Sequence, residues 1–222
     1  MGRQMVLDVP YVKQPYDFGW CAAASIAMVL KWHGERISQQ RVAKEMSSNK
    51  NGTHIHKLVA YLLRKGYGVE IKFWLPGLRN SARGLSGGKE NPKVLKELFF
   101  GTSTEQEFRT QQMCAMMERF ADNGGIISFG PPFLQDIRRE LTAGRPVIFE
   151  INSNWLRKTG RVQVSHMVVV KGLKCSFGKQ IDFPRVIFHD PGIRPNVSVP
   201  ADEFLYACNI GFGYAIFINP PS

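Results

Sequence analysis

The run GWCAAASIAMVLKWHG, residues 19–34, opens on a glycine turn, places Cys21 next and continues as an apolar segment. Ile26, Val29 and Leu30 recur at helical spacing, and Gly34 supplies a stop. The pattern predicts a helix from Cys21 to about Trp32, with the thiol in its first turn. Backbone N–H groups at a helix N-terminus favour negative charge. They would therefore favour the thiolate, the nucleophilic form of cysteine. A buried, inert structural cysteine is the plainer alternative.

Outward from this run, MVLDVPYV (5–12) predicts a short strand entering a loop, and KQPYDFGW (13–20) is a loop of turn formers. Ser38 is placed to cap a second helix running to about Met46. Asn51-Gly52-Thr53 predicts a turn and cap, then a helix to Lys65 that stops at Gly66. Residues 68–74 alternate like a strand. PGLRNSARGLSGGKEN (76–91) is expected as a long basic surface loop or insertion. Thr104 to Glu107 form a capping-box pattern, followed by Met113, Met116, Met117 and Phe120 on one helix face. That stripe is expected as core packing rather than an adaptable surface. Strands are predicted at 126–129, 147–151, 162–171, 185–189 and 212–218. Helices are predicted from Pro131-Pro132 to Gly144 and near 201–208. Helices come first and strands later, which predicts an α+β fold with a mostly antiparallel sheet.

The chain has 222 residues, 44% of them hydrophobic and 21% charged. One domain spanning 1–222, with a variable region at about 76–125, is the expectation, and that length buries an adequate core. The composition excludes disorder, collagen and a disulfide scaffold. No apolar run approaches the roughly 20 residues of a membrane span. The N-terminus lacks a signal-peptide pattern, so a cytoplasmic location is expected. The net charge of +11 suits an anionic partner, whether nucleic acid, acidic protein or cell-wall polymer. A solvated basic surface explains it equally, and no nucleic-acid motif accompanies the charge. Cys21, Cys114, Cys175 and Cys208 form no C-x-x-C pair, so reduced thiols are expected and neither metal nor cofactor.

Three further positions give Cys21 its interest. His166 interrupts the apolar strand VSHMVVV and could serve as its base. Asp190 ends the strand VIFHD before a Pro-Gly turn, where it could orient a histidine. Gln14, seven residues before Cys21, could donate to a developing oxyanion. Each has an ordinary reading too: a core histidine, a turn-initiating aspartate, a loop amide. Trp20, Glu150, Asn152 and Trp155 are candidates to line the cleft and touch substrate. His54 and His56 form an H-x-H without a third ligand, and SGGKEN lacks the spacing of a phosphate loop. His189 should point away from any site that Asp190 faces.

LDVPYVKQ and GWCAAASIAMVLKWHG together resemble the start of papain-like cysteine peptidases. The likeness is to the stand-alone relatives of the bacterial bacteriocin-processing, double-glycine leader peptidases. NGTHIHKLVAYLLRKGYGVE, LQDIRRELTAGRPVIFEI, VSHMVVVKGL and VIFHDPG follow in that family's order. The resemblance implies a papain-like fold in which Gln14 lines the oxyanion hole, Cys21 attacks, His166 moves the proton and Asp190 orients it. It implies a peptide or protein substrate and a thioester intermediate. Ala22 stands where that type usually has Gly, and no transporter is attached, so export-coupled cleavage is not expected. A glutamine deamidase or acyltransferase, and a non-catalytic peptide-binding module, are the alternatives on the same fold.

Overall fold

The computed structural model describes residues 4–16, 19–50, 52–73, 120–158, 165–175, 184–210 and 213–221. The expected loop at 76–91, the capping box at 104–107, Cys114 and most of the methionine stripe lie outside these residues.

Three helices precede most of the strands: α1 (Cys21–Trp32), α2 (Gln39–Glu45) and α3 (Ile55–Arg64). Strand β1 (Gln4–Val6) comes before them, and β2 (Gly68–Phe73) and β3 (Ile126–Phe129) after. Then come α4 (Leu134–Thr142), β4 (Val147–Asn152), α5 (Ser153–Arg157), β5 (Ser165–Lys174), β6 (Arg185–Asp190), β7 (Arg194–Pro200), α6 (Ala201–Asn209) and β8 (Tyr214–Asn219). The strands form one sheet in the order β3-β2-β8-β4-β5-β6-β7, with β1 added to β5 beside Gly172–Lys174. Among the described residues only β2 and β3 pair in parallel. The molecule is α+β, a helical part packed on a mostly antiparallel sheet.

Both faces of the sheet are covered, which is why β4 and β5 are near-continuous apolar runs rather than alternating ones. Period-two geometry still sorts their side chains. Val147, Phe149 and Ile151 point into a core shared with α4 and α6, where Ile137, Phe204 and Ala207 are buried. Ile148, Met167 and Val169 point into the other core, beneath α1, α2 and α3. The alanines of α1 (Ala22, Ala23, Ala27) keep that helix close to β5, and the buried Ser25 hydroxyl donates to the Met167 carbonyl at 3.3 Å. That bond fixes the start of α1 against the start of β5.

Local signals explain most boundaries. Ser38 caps α2, its hydroxyl accepting from the Arg41 N–H at 3.2 Å. The short strand foreseen at the start of 5–12 is Gln4–Val6, and the segment then leaves the sheet edge as a loop, where Pro10 lacks an N–H. Three other features differ from expectation. α3 starts at Ile55 with His54 as its cap, since the Thr53 hydroxyl is engaged by Ser48. β7 carries prolines at both ends and pairs only with β6, so it shows little strand signal. The five-residue α5 is too short for periodicity to reveal.

Candidate active site

Cys21 is the first helical residue of α1, beside the start of β5. His166 is the second residue of β5 and is 7% exposed; Asp190 is the last residue of β6 and is 3% exposed. The sheet register thus brings two strand ends and one helix end to a single junction. His166 Nε2 lies 2.7 Å from Asp190 Oδ1. The imidazole also shares a hydrogen bond with the Cys21 thiol. A thiol, an imidazole and a carboxylate therefore stand in line.

The electrostatics follow from this contact. Burial alone would push the Cys21 thiol up. The hydrogen bond and charge of His166, with the N–H groups of Met167 and Ala22, outweigh it and hold the thiol below its ordinary value. Burial works against a charged His166, but the hydrogen bonds to Asp190 and Cys21 prevail and push the imidazole up to about 9. Asp190 is raised by burial and lowered more by His166, the Gly192 N–H and Arg157. The arrangement favours a thiolate–imidazolium pair backed by a carboxylate.

Asp190 has three further attachments. Its Oδ1 accepts from the Gly192 N–H at 2.8 Å, and Arg157 Nη2 stands 3.4 Å from its Oδ2. Its carbonyl accepts from the Tyr11 hydroxyl at 3.1 Å. A Cβ at Gly192 would sit 3.3–3.4 Å from Arg157, Asp190 and His166, so this turn has little room for a side chain.

The segment before Cys21 is stitched to the same strands. The Leu7 N–H donates to the Lys171 carbonyl, and the Gln14 N–H donates to the Pro191 carbonyl at 2.9 Å. His189, the neighbour of Asp190, points the other way: its Nε2–H donates to the Val9 carbonyl and its Nδ1 accepts from the Asn196 N–H. Those two bonds fix the neutral tautomer, and burial lowers its basicity further. Gln14 is thereby tied to the residue following Asp190. Its Oε1 is buried with no hydrogen-bond partner among the described residues.

The other sequence candidates separate. Trp20 directly precedes Cys21 and packs against the α1 core. Glu150 is buried on β4. The Asn152 side chain is spent on capping α5, accepting from the Trp155 N–H at 3.3 Å. Trp155 is 47% exposed and packs on Tyr206 of α6, on the side of the sheet opposite α1. His54 and His56 stack on one another at the start of α3. Sequence reasoning did not single out Tyr11, Arg157 or Gly192. A Gly after Asp-Pro signals only a turn, and nothing about Tyr11 or Arg157 in sequence announces a contact 179 or 33 residues away.

Residues 6–72, the part carrying Gln14 and Cys21, match the model of the Peptidase_C39 like family. No curated protein matches the chain. Three solved structures are similar to it. One is the peptidase domain of Streptococcus ComA, described as a bi-functional ABC transporter involved in a quorum sensing pathway. It shares 16% identity over 96% of this chain and 99% of that one, with TM-score 0.46. The second is a double glycine motif protease from an AMS/PCAT transporter in complex with the leader peptide: 17% identity, 97% and 94% covered, TM-score 0.47. The third is described as a C39-like peptidase from Bacillus anthracis: 17% identity, 99% of both chains, TM-score 0.48. Likeness at this level leaves the chemistry to be read from the site itself. A thiol, an imidazole and a carboxylate stand in line, and the segment that supplies the thiol, the first third of the chain, is similar to the Peptidase_C39 like family.

Proposed function

We propose that this protein hydrolyses amide bonds of a peptide or protein through a thioester, with Cys21 as nucleophile, His166 as general acid and base, and Asp190 as its orienter. The observation that carries the reading is the line from the Cys21 thiol through His166 to Asp190. The Cys21 thiolate attacks the scissile carbonyl carbon, forming a C–S bond and an oxyanion. The Cys21 N–H, unpaired within α1 because it opens the helix, and the Gln14 side-chain amide stabilise that charge. As the tetrahedral intermediate collapses, the C–N bond breaks and His166 protonates the departing amine. His166, now neutral, takes a proton from water, which attacks the thioester. The second collapse releases the carboxylic acid and restores the thiolate–imidazolium pair.

Residues 1–222 act in this reading as one domain, with about 76–125 as an insertion. The net charge of +11 supports an acidic peptide or other anionic partner. Incubation with a peptide library, read by mass spectrometry, tests the function. The wild type should generate new termini, each a gain of water across one amide. Cys21→Ala should lose at least a thousandfold of the rate. Full turnover by Cys21→Ala would overturn the proposal.

A further inference from the structure

β4 carries one acidic side chain, Glu150, in an otherwise apolar stretch, and it is 2% exposed. The pleat places it on the face of Ile148, the face that α1 covers. Its partner across β5 is Met167. The Met167 N–H meets the Cys21 thiol, and its carbonyl accepts from Ser25. On the other side, β4 pairs with β8 at Ile148–Ile216 and Phe149–Ala215, which sets Glu150 next to Tyr214. The carboxyl accepts from the hydroxyl of Ser165, the residue before His166. Glu150 therefore lies in the sheet behind the nucleophile, and no Lys or Arg among the described residues pairs with it.

We propose that Glu150 is a positioning residue of this site, a buried carboxyl that acts through His166 by adding a negative charge behind the Cys21–His166 pair. The inference rests on the chemistry proposed above. The ionisable groups within electrostatic reach of Glu150 are Tyr214 of β8 on its own face, with Cys21 of α1 beyond, His166 of β5, its diagonal neighbour paired with Ile151, and Cys208 of α6 across the sheet. Burial, reinforced by the charge of Glu150, pushes both Tyr214 and Cys208 well above their ordinary values, so both stay neutral. Of these groups, His166 is the one free to gain charge in response. Burial pushes Glu150 itself up to about 7, against the Ser165 hydrogen bond and the charge of His166. Ionisation of Glu150 near neutral pH then favours the imidazolium and extends the pair to higher pH.

The test is a pH titration of the five histidines by ¹⁵N-imidazole NMR in the wild type, Glu150→Gln, Glu150→Asp and Cys21→Ala. His166 is assigned by the signal missing from His166→Ala. In Glu150→Gln, His166 should titrate about half a unit to one unit lower, a threefold to tenfold loss of imidazolium at fixed pH. Glu150→Asp should restore part of that shift. Unchanged signals from His33, His54, His56 and His189 report the intact fold. Should Glu150→Gln not fold, the wild type alone decides, because its His166 curve should carry a second inflection near pH 7. A raised His166 that is unaffected by Glu150→Gln, or a wild-type curve without that inflection, overturns the role of Glu150. An ordinary His166 value in the wild type overturns the Cys–His reading instead.

Discussion

Asp190 shows how much one residue can govern here. It accepts from His166 and Gly192, faces Arg157, and raises His166 by holding its proton in place. Replacement by Asn keeps the shape and removes the charge. We expect Asp190→Asn to lower kcat/KM by roughly 10²-fold or more. The alkaline limb, which the wild type should show near pH 9, should move toward 6.5. An unshifted limb in a pH–rate profile would mean that Asp190 does not act through His166. At this scale the sequence held three separate signals, each with an ordinary reading as well: a cysteine at a helix start, a histidine inside an apolar strand, an aspartate at a strand end; the structure brings the three side chains together. Arg157 and Tyr11 carried no such signal, since their contacts depend on how distant segments meet. Glu150 was visible as an acidic residue in an apolar strand, but only the register shows that it lies behind Cys21.

At the scale of elements, the junction depends on three strand or helix ends meeting and on the segment before α1 staying in place. His189 secures that segment by donating to the Val9 carbonyl, and its other nitrogen accepts from the Asn196 N–H of β7. His189→Ala leaves the carbonyl of the buried Val9 without this partner, while the N–H of the exposed Asn196 turns to solvent. We expect it to cost about 1–3 kcal/mol in urea unfolding. It should also raise KM or lower kcat without shifting the pH limbs, because His189 is neutral and outside the proton pathway. A cost below about 0.5 kcal/mol would show that the segment is held by its other bonds. The opposite facing of His189 and Asp190 was legible from strand alternation alone. The helices α1, α2, α3 and α4 were legible from apolar period and caps. β7 and α5 were hidden because one is an exposed edge strand with prolines and the other is a single turn following a strand. Strand order was not legible, since a list of antiparallel candidates is compatible with many pairings.

Across the whole molecule, the same charges link catalysis to stability. His166 is raised from 6.5 to about 9, so its contribution is complete below pH 6.5 and is lost as pH rises through 9, while Cys21 is lowered, so its contribution appears above its depressed value and offsets that loss. Asp190 is lowered, so its contribution is present above its ordinary value and is lost as pH falls through the depressed one. Glu150 is raised from 4.5 to about 7, so its burial costs stability as pH rises across that interval. The Cys21–His166 pair should therefore leave stability nearly level above pH 6.5, while Glu150 lowers it between 4.5 and 7. Cys21→Ala, which removes the offset, should expose a decline between pH 6.5 and 9, and Glu150→Gln should flatten the one between 4.5 and 7. Melting temperatures measured across pH 4–10 check both, and parallel curves for all three proteins would contradict the assignments.

The most direct test of the Cys21–His166 pair is the thiolate absorbance near 240 nm as a function of pH, taken as the difference between the wild type and Cys21→Ala. The subtraction removes the other cysteines. Cys21 should hold thiolate well below the ordinary thiol value of about 8.5, and His166→Ala should return it to that value or above. A Cys21 that titrates near 8.5 in both proteins would mean that the pair does not form and that the chemistry proposed for this site is wrong.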